Sequence, residues 1–302
     1  MQILQAEAQE VAKMAVAPAT RRLYDCLLAG YIDGIQKIPG FGEPFPITDE
    51  KVRAYLMFRK NYERCTHGTL KADLASIRRY LAEHFIFDFT RTVQFRDFLN
   101  GLKRQMAEGV PPNRKLPITG DLLTRMAQQI DDEDAQDVED MAIMSLGYFG
   151  FLRLSEIVGL RTEDVQLTKD RIRLHIRRSK TDQGGNGVEC YILRTNRPYD
   201  AVFWMHLFSC QKDLSVSQPL FDSGCRNIRA RIRVWLGRIG IPEESLKKYS
   251  THSLRRGGAA AAARAGVEDS VIQRHGRWKT WCFTVYTQME REDAGRIITA
   301  RI

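Results

Sequence analysis

The chain of 302 residues carries 43% hydrophobic and 27% charged side chains and a formal charge of +9, a length that favours two domains and a composition typical of a globular protein, with nothing that suggests disorder or repeats. The surplus of Lys and Arg points to a polyanion, nucleic acid first, as the partner, and no apolar run approaches the roughly 20 residues that cross a bilayer. Six cysteines without a C-x-x-C pair or a histidine partner at zinc spacing indicate neither metal site nor disulfide framework, and MQILQAEAQEVAK lacks the basic and then apolar order of a secretory leader, so the expectation is an intracellular protein in a reducing compartment, with no membrane partner.

In chain order, Leu23, Leu27, Tyr31 and Ile35 recur every four positions, the pattern of a helix face capped by Thr20. The Pro/Gly-rich stretch IPGFGEPFP ends it. Thr48 caps a second helix, whose first turn holds Asp49 and Glu50 where negative charge suits the helix dipole. Leu70, Leu74, Ile77 and Leu81 mark a third helix, and Val93, Phe98, Leu102 and Met106 a fourth. Val110 to Lys115, with two prolines and no periodicity, reads as a linker. Residues 1–112 are therefore expected to form a helical domain and residues 113–302 a mixed one, with charges of +3 and +6.

Thr119 or Asp121 can cap the next helix. A run of acidic residues, Asp131, Asp132, Glu133, Asp134, Asp137, Glu139 and Asp140, reads as a solvated loop and helix start. Val138 to Tyr148 is an apolar helix leading to Arg153, with Glu156 three residues on. The period then changes. Arg171, Arg173, His175 and Arg177 alternate with Ile172, Leu174 and Ile176, the signature of a strand with one basic and one apolar face. Val165–Leu167 and Val188–Leu193 flank it across short turns, giving a small antiparallel sheet in a mainly α chain. Lys180 lies in the second, glycine-rich connection. Helix returns around Val202 to Leu207. Ile228, Ile232, Trp235, Leu236 and Ile239 form a further apolar stripe, with Arg226, Arg229 and Arg233 on another face suited to a phosphate backbone or simply to water.

The stretch from Tyr249 to Gln288 concentrates groups able to handle a phosphate. His252 and Arg255 stand three apart at the start of a helix that Ser250 or Thr251 would cap, sharing a face near free backbone N–H groups. Gly257, Gly258 and Ala259 to Ala263 leave little bulk, so a neighbouring helix can come close, and Gly266 fits a C-cap. A Gly276-Arg277-Trp278 turn and Tyr286 follow. Singly, each feature has a bland reading: an H-x-x-R pair is most often structural, Trp278 or Tyr286 core, Lys180 a solvated turn lysine, and Arg153 the partner of a buried Glu156.

As an ordered set, FGFLRLSEIVGL, RRSKTDQGGNG, THSLRRGGAAAAARAG and GRWKTWCFTVYTQ resemble the motifs of the tyrosine recombinases, the phage integrase family of DNA strand-exchange enzymes. The resemblance implies a helical DNA-clamping domain, 1–112, before a catalytic domain, 113–302. It implies that Arg153, Lys180, His252, Arg255, Trp278 and Tyr286 are catalytic, with Glu156 supporting. Many members carry a histidine nine residues before the tyrosine. Here Trp278 stands eight before Tyr286 and His275 eleven, so the occupant of that position is open between them, with Trp278 preferred. The implied activity is site-specific cleavage and rejoining of double-stranded DNA through a 3′-phosphotyrosyl bond, without metal, nucleotide or other cofactor. A homo-tetramer assembled on DNA in a bacterial nucleoid or a eukaryotic nucleus, and a mobile-element setting, are part of that implication. The rival readings are a DNA-binding relative that no longer cleaves and a type IB topoisomerase-like monomer.

Overall fold

The computed structural model describes Val11 and residues 15–107, 115–177, 187–250 and 252–284. By its internal packing the chain divides into two compact units, Met1–Pro112 and Asn113–Ile302. The architecture is mainly helical, with one three-stranded antiparallel sheet.

Among the described residues, the first unit holds α1 (Pro18–Gln36), α2 (Asp49–Asn61), α3 (His67–Glu83) and α4 (Val93–Ala107). Helix α1 begins ahead of Thr20, the residue expected to cap it. Pro18 stands in its first turn, where a missing N–H costs nothing, and Ala17 takes the cap position. Leu23 is 51% exposed, whereas Tyr31 and Ile35 are buried. A strict spacing of four advances about 40° per step around a helix of 3.6 residues per turn, so Leu23 has rotated off the packed face and Leu28 packs instead. Thr48 caps α2 through the Lys51 N–H, and Leu70, Leu74, Ile77 and Leu81 all enter the core from α3. In α4 Leu102 is buried and Phe98 and Met106 are half-buried against the core as expected, Phe95 is buried as well, and Val93 is exposed.

In the second unit Thr119, not Asp121, caps α5 (Gly120–Ala127) by accepting the Leu122 N–H. Helix α6 (Ala135–Phe149) is buried on every turn and forms the axis of the core. α7 (Leu154–Val158) leads to the sheet of β1 (Val165–Leu167), β2 (Arg171–Ile176) and β3 (Val188–Leu193), with β2 central and Leu174 opposite Cys190. The apolar face of β2, Ile172, Leu174 and Ile176, is buried as the alternation predicts. α8 (Ala201–Gln211) covers the sheet, and α9 (Cys225–Arg238), α10 (Glu243–Leu246), α11 (His252–Arg264) and α12 (Asp269–His275) complete the unit. Among the described residues no helix is long and apolar enough to cross a membrane.

The acidic run is only partly solvated. Asp131 to Asp134 are exposed and Asp134 caps α6, but Asp137 and Asp140 are buried. They lie on the face of α6 that meets α9, where Arg238 pairs with Asp137 and Arg231 with Asp140, which also accepts the Trp235 Nε1–H at 2.9 Å. The arginines of α9 are thereby divided. Arg231 and Arg238 hold the core together, whereas Arg226, Arg229 and Arg233 are exposed and make no ion pair among the described residues.

Candidate active site

Arg153 and Glu156 bracket the first turn of α7. The Glu156 carboxylate accepts the Arg153 backbone N–H at 2.8 Å and Arg153 Nη1–H at 2.6 Å, so one acidic side chain both caps the helix and aims the arginine. Glu156 is 1% exposed and Arg153 15%, which places the pair at the rim of the core. Sequence spacing alone suffices for this contact, because residues three apart meet on one helical turn.

Helix α11 reaches the same carboxylate from a segment a hundred residues later. Arg255 is buried, with Nη1 3.9 Å from Glu156 Oε2. Its guanidinium donates to the carbonyls of Phe151 and Gly276, and its Cζ lies 4.2 Å from the centroid of the Trp278 ring. That cation–π contact fixes the plane of the fork. His252, on the first turn of the same helix, is exposed rather than buried beside Arg255. Ser250 does not cap α11. Its Oγ has no hydrogen-bond partner among the described residues, and its N–H instead donates to Ser253 Oγ at 2.9 Å. Thr251 lies outside the described residues.

The small residues of α11 let it close on α6 and on the strand-like approach to α5. A Cβ built on Gly258 would sit 2.1 Å from the Tyr148 carbonyl oxygen, and one on Gly257 1.8 Å from that of Ile118. At its far end Gly266, with φ +78°, terminates the helix: its N–H donates to Ala263 and that of Val267 to Ala262.

His275 and Trp278 part company. His275 Nε2 contacts the Phe149 carbonyl at 2.7 Å, and its ring stands edge-on to Phe151, 4.7 Å away. Burial, reinforced by Arg277 and Arg255, pushes its pKa below the ordinary histidine value against the pull of the Phe149 carbonyl. The neutral ring therefore donates from Nε2 and ties α12 to the end of α6. Trp278 is the one that packs on Arg255. Gly276 makes room for it, since a Cβ there would fall 1.7 Å from the indole. Phe283, fully buried, lies against the same ring with centroids 5.6 Å apart. Lys180 and Tyr286 lie outside the described residues. So does most of the β2–β3 connection, whose base is pinned by Glu189 bonding His175 and Arg173.

One residue at the centre was given no role by the sequence. Arg277, with φ +58°, is half-buried as a residue with its side chain turned inward, and donates through Nη2 to Glu156 Oε2 at 3.1 Å, to Phe151 O at 3.0 Å and to Gly150 O at 3.2 Å, and through Nη1 to His275 O at 2.8 Å. Phe151 itself has φ +46°, a left-handed conformation uncommon for a bulky residue, which turns its carbonyl between Arg255 and Arg277. Burial would raise the Glu156 carboxyl, but Arg277 and the hydrogen bonds from Arg153 outweigh it and hold its pKa below the usual glutamate value. The signal available in the sequence was a spacing: Arg277 stands nine residues before Tyr286, the offset at which many members of the resembled family carry a histidine, but an arginine there does not by itself distinguish an inward fork from a solvated turn.

This mainly helical fold is matched by known proteins. The profile of the phage integrase family covers residues 118–291, and the chain belongs to that family. Over 197 residues it is 25% identical to the integrase/recombinase xerD homolog of Selenomonas ruminantium, covering 61% of this chain and 56% of that protein. Over 147 residues it is 29% identical to the tyrosine recombinase XerC of Psychromonas ingrahamii, covering 45% and 46%. The chain thus matches about half the length of these curated relatives. In structure it is similar to the Tn1549 transposon integrase solved in complex with transposon right end DNA, with a TM-score of 0.65, 16% identity and coverage of 99% and 98%.

Proposed function

We propose that the protein is a site-specific DNA recombinase or integrase that cleaves and rejoins strands through a 3′-phosphotyrosyl intermediate. The observation that carries this reading is the meeting of Arg153 and Arg255 at Glu156, with Trp278 packed on Arg255, from segments separated by about a hundred residues of chain. A buried carboxylate with two or more arginines has little value as a stabilising device, because the desolvation of the charges offsets their attraction. Two guanidinium forks set in fixed orientation suit the non-bridging oxygens of a phosphodiester, where they stabilise charge as the transition state forms. Family membership and the DNA complex of the Tn1549 integrase support the same partner.

In this reading Tyr286 Oη attacks phosphorus, the bond from phosphorus to the 5′ oxygen breaks, and Lys180 gives that oxygen a proton. His252 assists the loss of the tyrosine proton, since a phenol with a reference pKa of about 10 is a poor nucleophile until it ionises. A second 5′-hydroxyl then reverses the step on the phosphotyrosyl bond, which conserves the energy of the phosphodiester without nucleotide or metal. Trp278 walls the site and can offer its indole N–H to the phosphate. Residues 1–112 clamp the DNA, and strand exchange takes place in a homo-tetramer.

The test is covalent capture. A nicked duplex library of random sequence, which loses the 5′-hydroxyl fragment on cleavage, should yield a protein–DNA adduct that survives denaturing electrophoresis. Tyr286→Phe should abolish it. An adduct that persists in this variant refutes the nucleophile, and relaxation of plasmid by monomers without recombinant products would favour a topoisomerase instead.

A further inference from the structure

We infer that Arg277 is a positioning residue for cleavage: it fixes Glu156 and the Phe151 carbonyl, and through them the two arginines that hold the scissile phosphate. The inference rests on the function proposed above. Arg277 makes no use of its charge in solvent, being 6% exposed. Its Nη groups instead span four acceptors, three of them in the Gly150–Glu156 segment and one at His275, the last residue of α12. Each active arginine shares an acceptor with it. Glu156 receives both Arg153 and Arg277, and Phe151 O receives both Arg255, at 2.5 Å, and Arg277, at 3.0 Å. The site is therefore cross-linked by one fork from two directions, which a lysine with a single ammonium cannot reproduce.

The backbone supports a role beyond packing. Both Phe151 and Arg277 hold positive φ without being glycine, and such conformations are unfavourable and persist only where the surroundings over-determine them. Here each enables the other, since the turned Phe151 carbonyl is the acceptor and the turned Arg277 brings the donor to it. Arg277 Nε finds no acceptor among the described residues, so the side chain is held by its Nη contacts alone.

The experiment measures the first-order rate of adduct formation on the nicked duplex library at saturating protein. Duplex affinity and the unfolding midpoint are followed in parallel. Arg277→Gly, which suits a positive φ, should slow cleavage on the order of 100-fold, the effect of misplacing catalytic groups by about 1 Å, while affinity stays within about two-fold. Millimolar guanidinium should restore part of the rate by refilling the vacated fork. The double variant Glu156→Gln/Arg277→Gly should be no slower than the slower single variant, because the two act as one unit. Wild-type cleavage by a folded Arg277→Gly, a rate loss matched by an equal loss of affinity, or additive effects in the double variant would each overturn the inference. If Arg277→Gly does not fold, Arg277→Lys carries the test: it keeps the charge and loses the fork, and an unchanged rate overturns the proposal. Failure of the wild-type protein to form any adduct would instead strike the proposed function.

Discussion

Replacing Gly257 by alanine adds one methyl group where, among the described glycines, the approach to a backbone atom is tightest. The new Cβ would lie 1.8 Å from the Ile118 carbonyl oxygen and 2.8 Å from its carbon, atoms of backbone rather than of a yielding side chain. Ile118 cannot easily retreat, since its N–H is bonded to the Ser253 carbonyl at 2.9 Å and its side chain is fully buried. To regain a van der Waals separation of about 3.5 Å the helix must back away by roughly 1.7 Å. Overpacking of this kind costs about 1–3 kcal/mol or more, against a gain of roughly 1 kcal/mol from replacing glycine by alanine within a helix. A clash with backbone lies at the upper end of that range, so the expected net loss is about 2 kcal/mol. Arg255 lies two residues earlier on the same helix, so the shift also carries it off Glu156 and the Phe151 carbonyl, and cleavage should fall on the order of 100-fold. Urea unfolding followed by tryptophan fluorescence is a direct assay, because all four tryptophans, Trp204, Trp235, Trp278 and Trp281, belong to the second unit. Gly237→Ala is the control, with nothing within 4 Å of its Cβ, and should leave stability unchanged or raise it by a few tenths of a kcal/mol. A Gly257→Ala protein as stable as the control would refute the close-approach argument.

Stability should also depend on pH through His275. Its folded pKa is depressed, so below about 6.5 the unfolded chain takes up a proton that the folded one resists, and stability falls as pH drops through that value. Between pH 7.5 and 5.5 the wild-type urea midpoint should therefore fall more than that of His275→Gln; equal falls would dissociate His275 from the effect. On α9, replacing Arg226, Arg229 and Arg233 by glutamine should leave the unfolding midpoint in place and flatten the salt dependence of duplex binding, by about 0.9 in the log–log slope for each phosphate that is no longer neutralised. An unchanged slope would mark this face as merely solvated.

Where contacts are local, the sequence proved legible. Period two gave β2 and its buried Ile172, Leu174 and Ile176, and the Arg153–Glu156 spacing gave a capping ion pair, because neighbours on one turn or one strand meet whatever the rest of the chain does. Errors arose where a short-range rule met a longer-range competitor. The spacing of four that nominated Leu23 drifts off a 3.6-residue helix, and Asp137 and Asp140, read as solvated, are drawn inward by Arg238 and Arg231 of α9 about a hundred residues away.

The sequence by itself determined the longer helices, the strands and the order of the motifs, which follow from residue type and from spacings of a few positions. Tertiary structure alone decided that His275 bonds the end of α6 while Trp278 lies against Arg255, and that Arg277 donates to Glu156 across 121 residues of chain. These outcomes depend on which carbonyls and carboxylates are left without other donors once α6, α7 and α11 have packed. A buried polar group must find its partner in space, and that partner's distance along the chain is set by the packing of the helices between them.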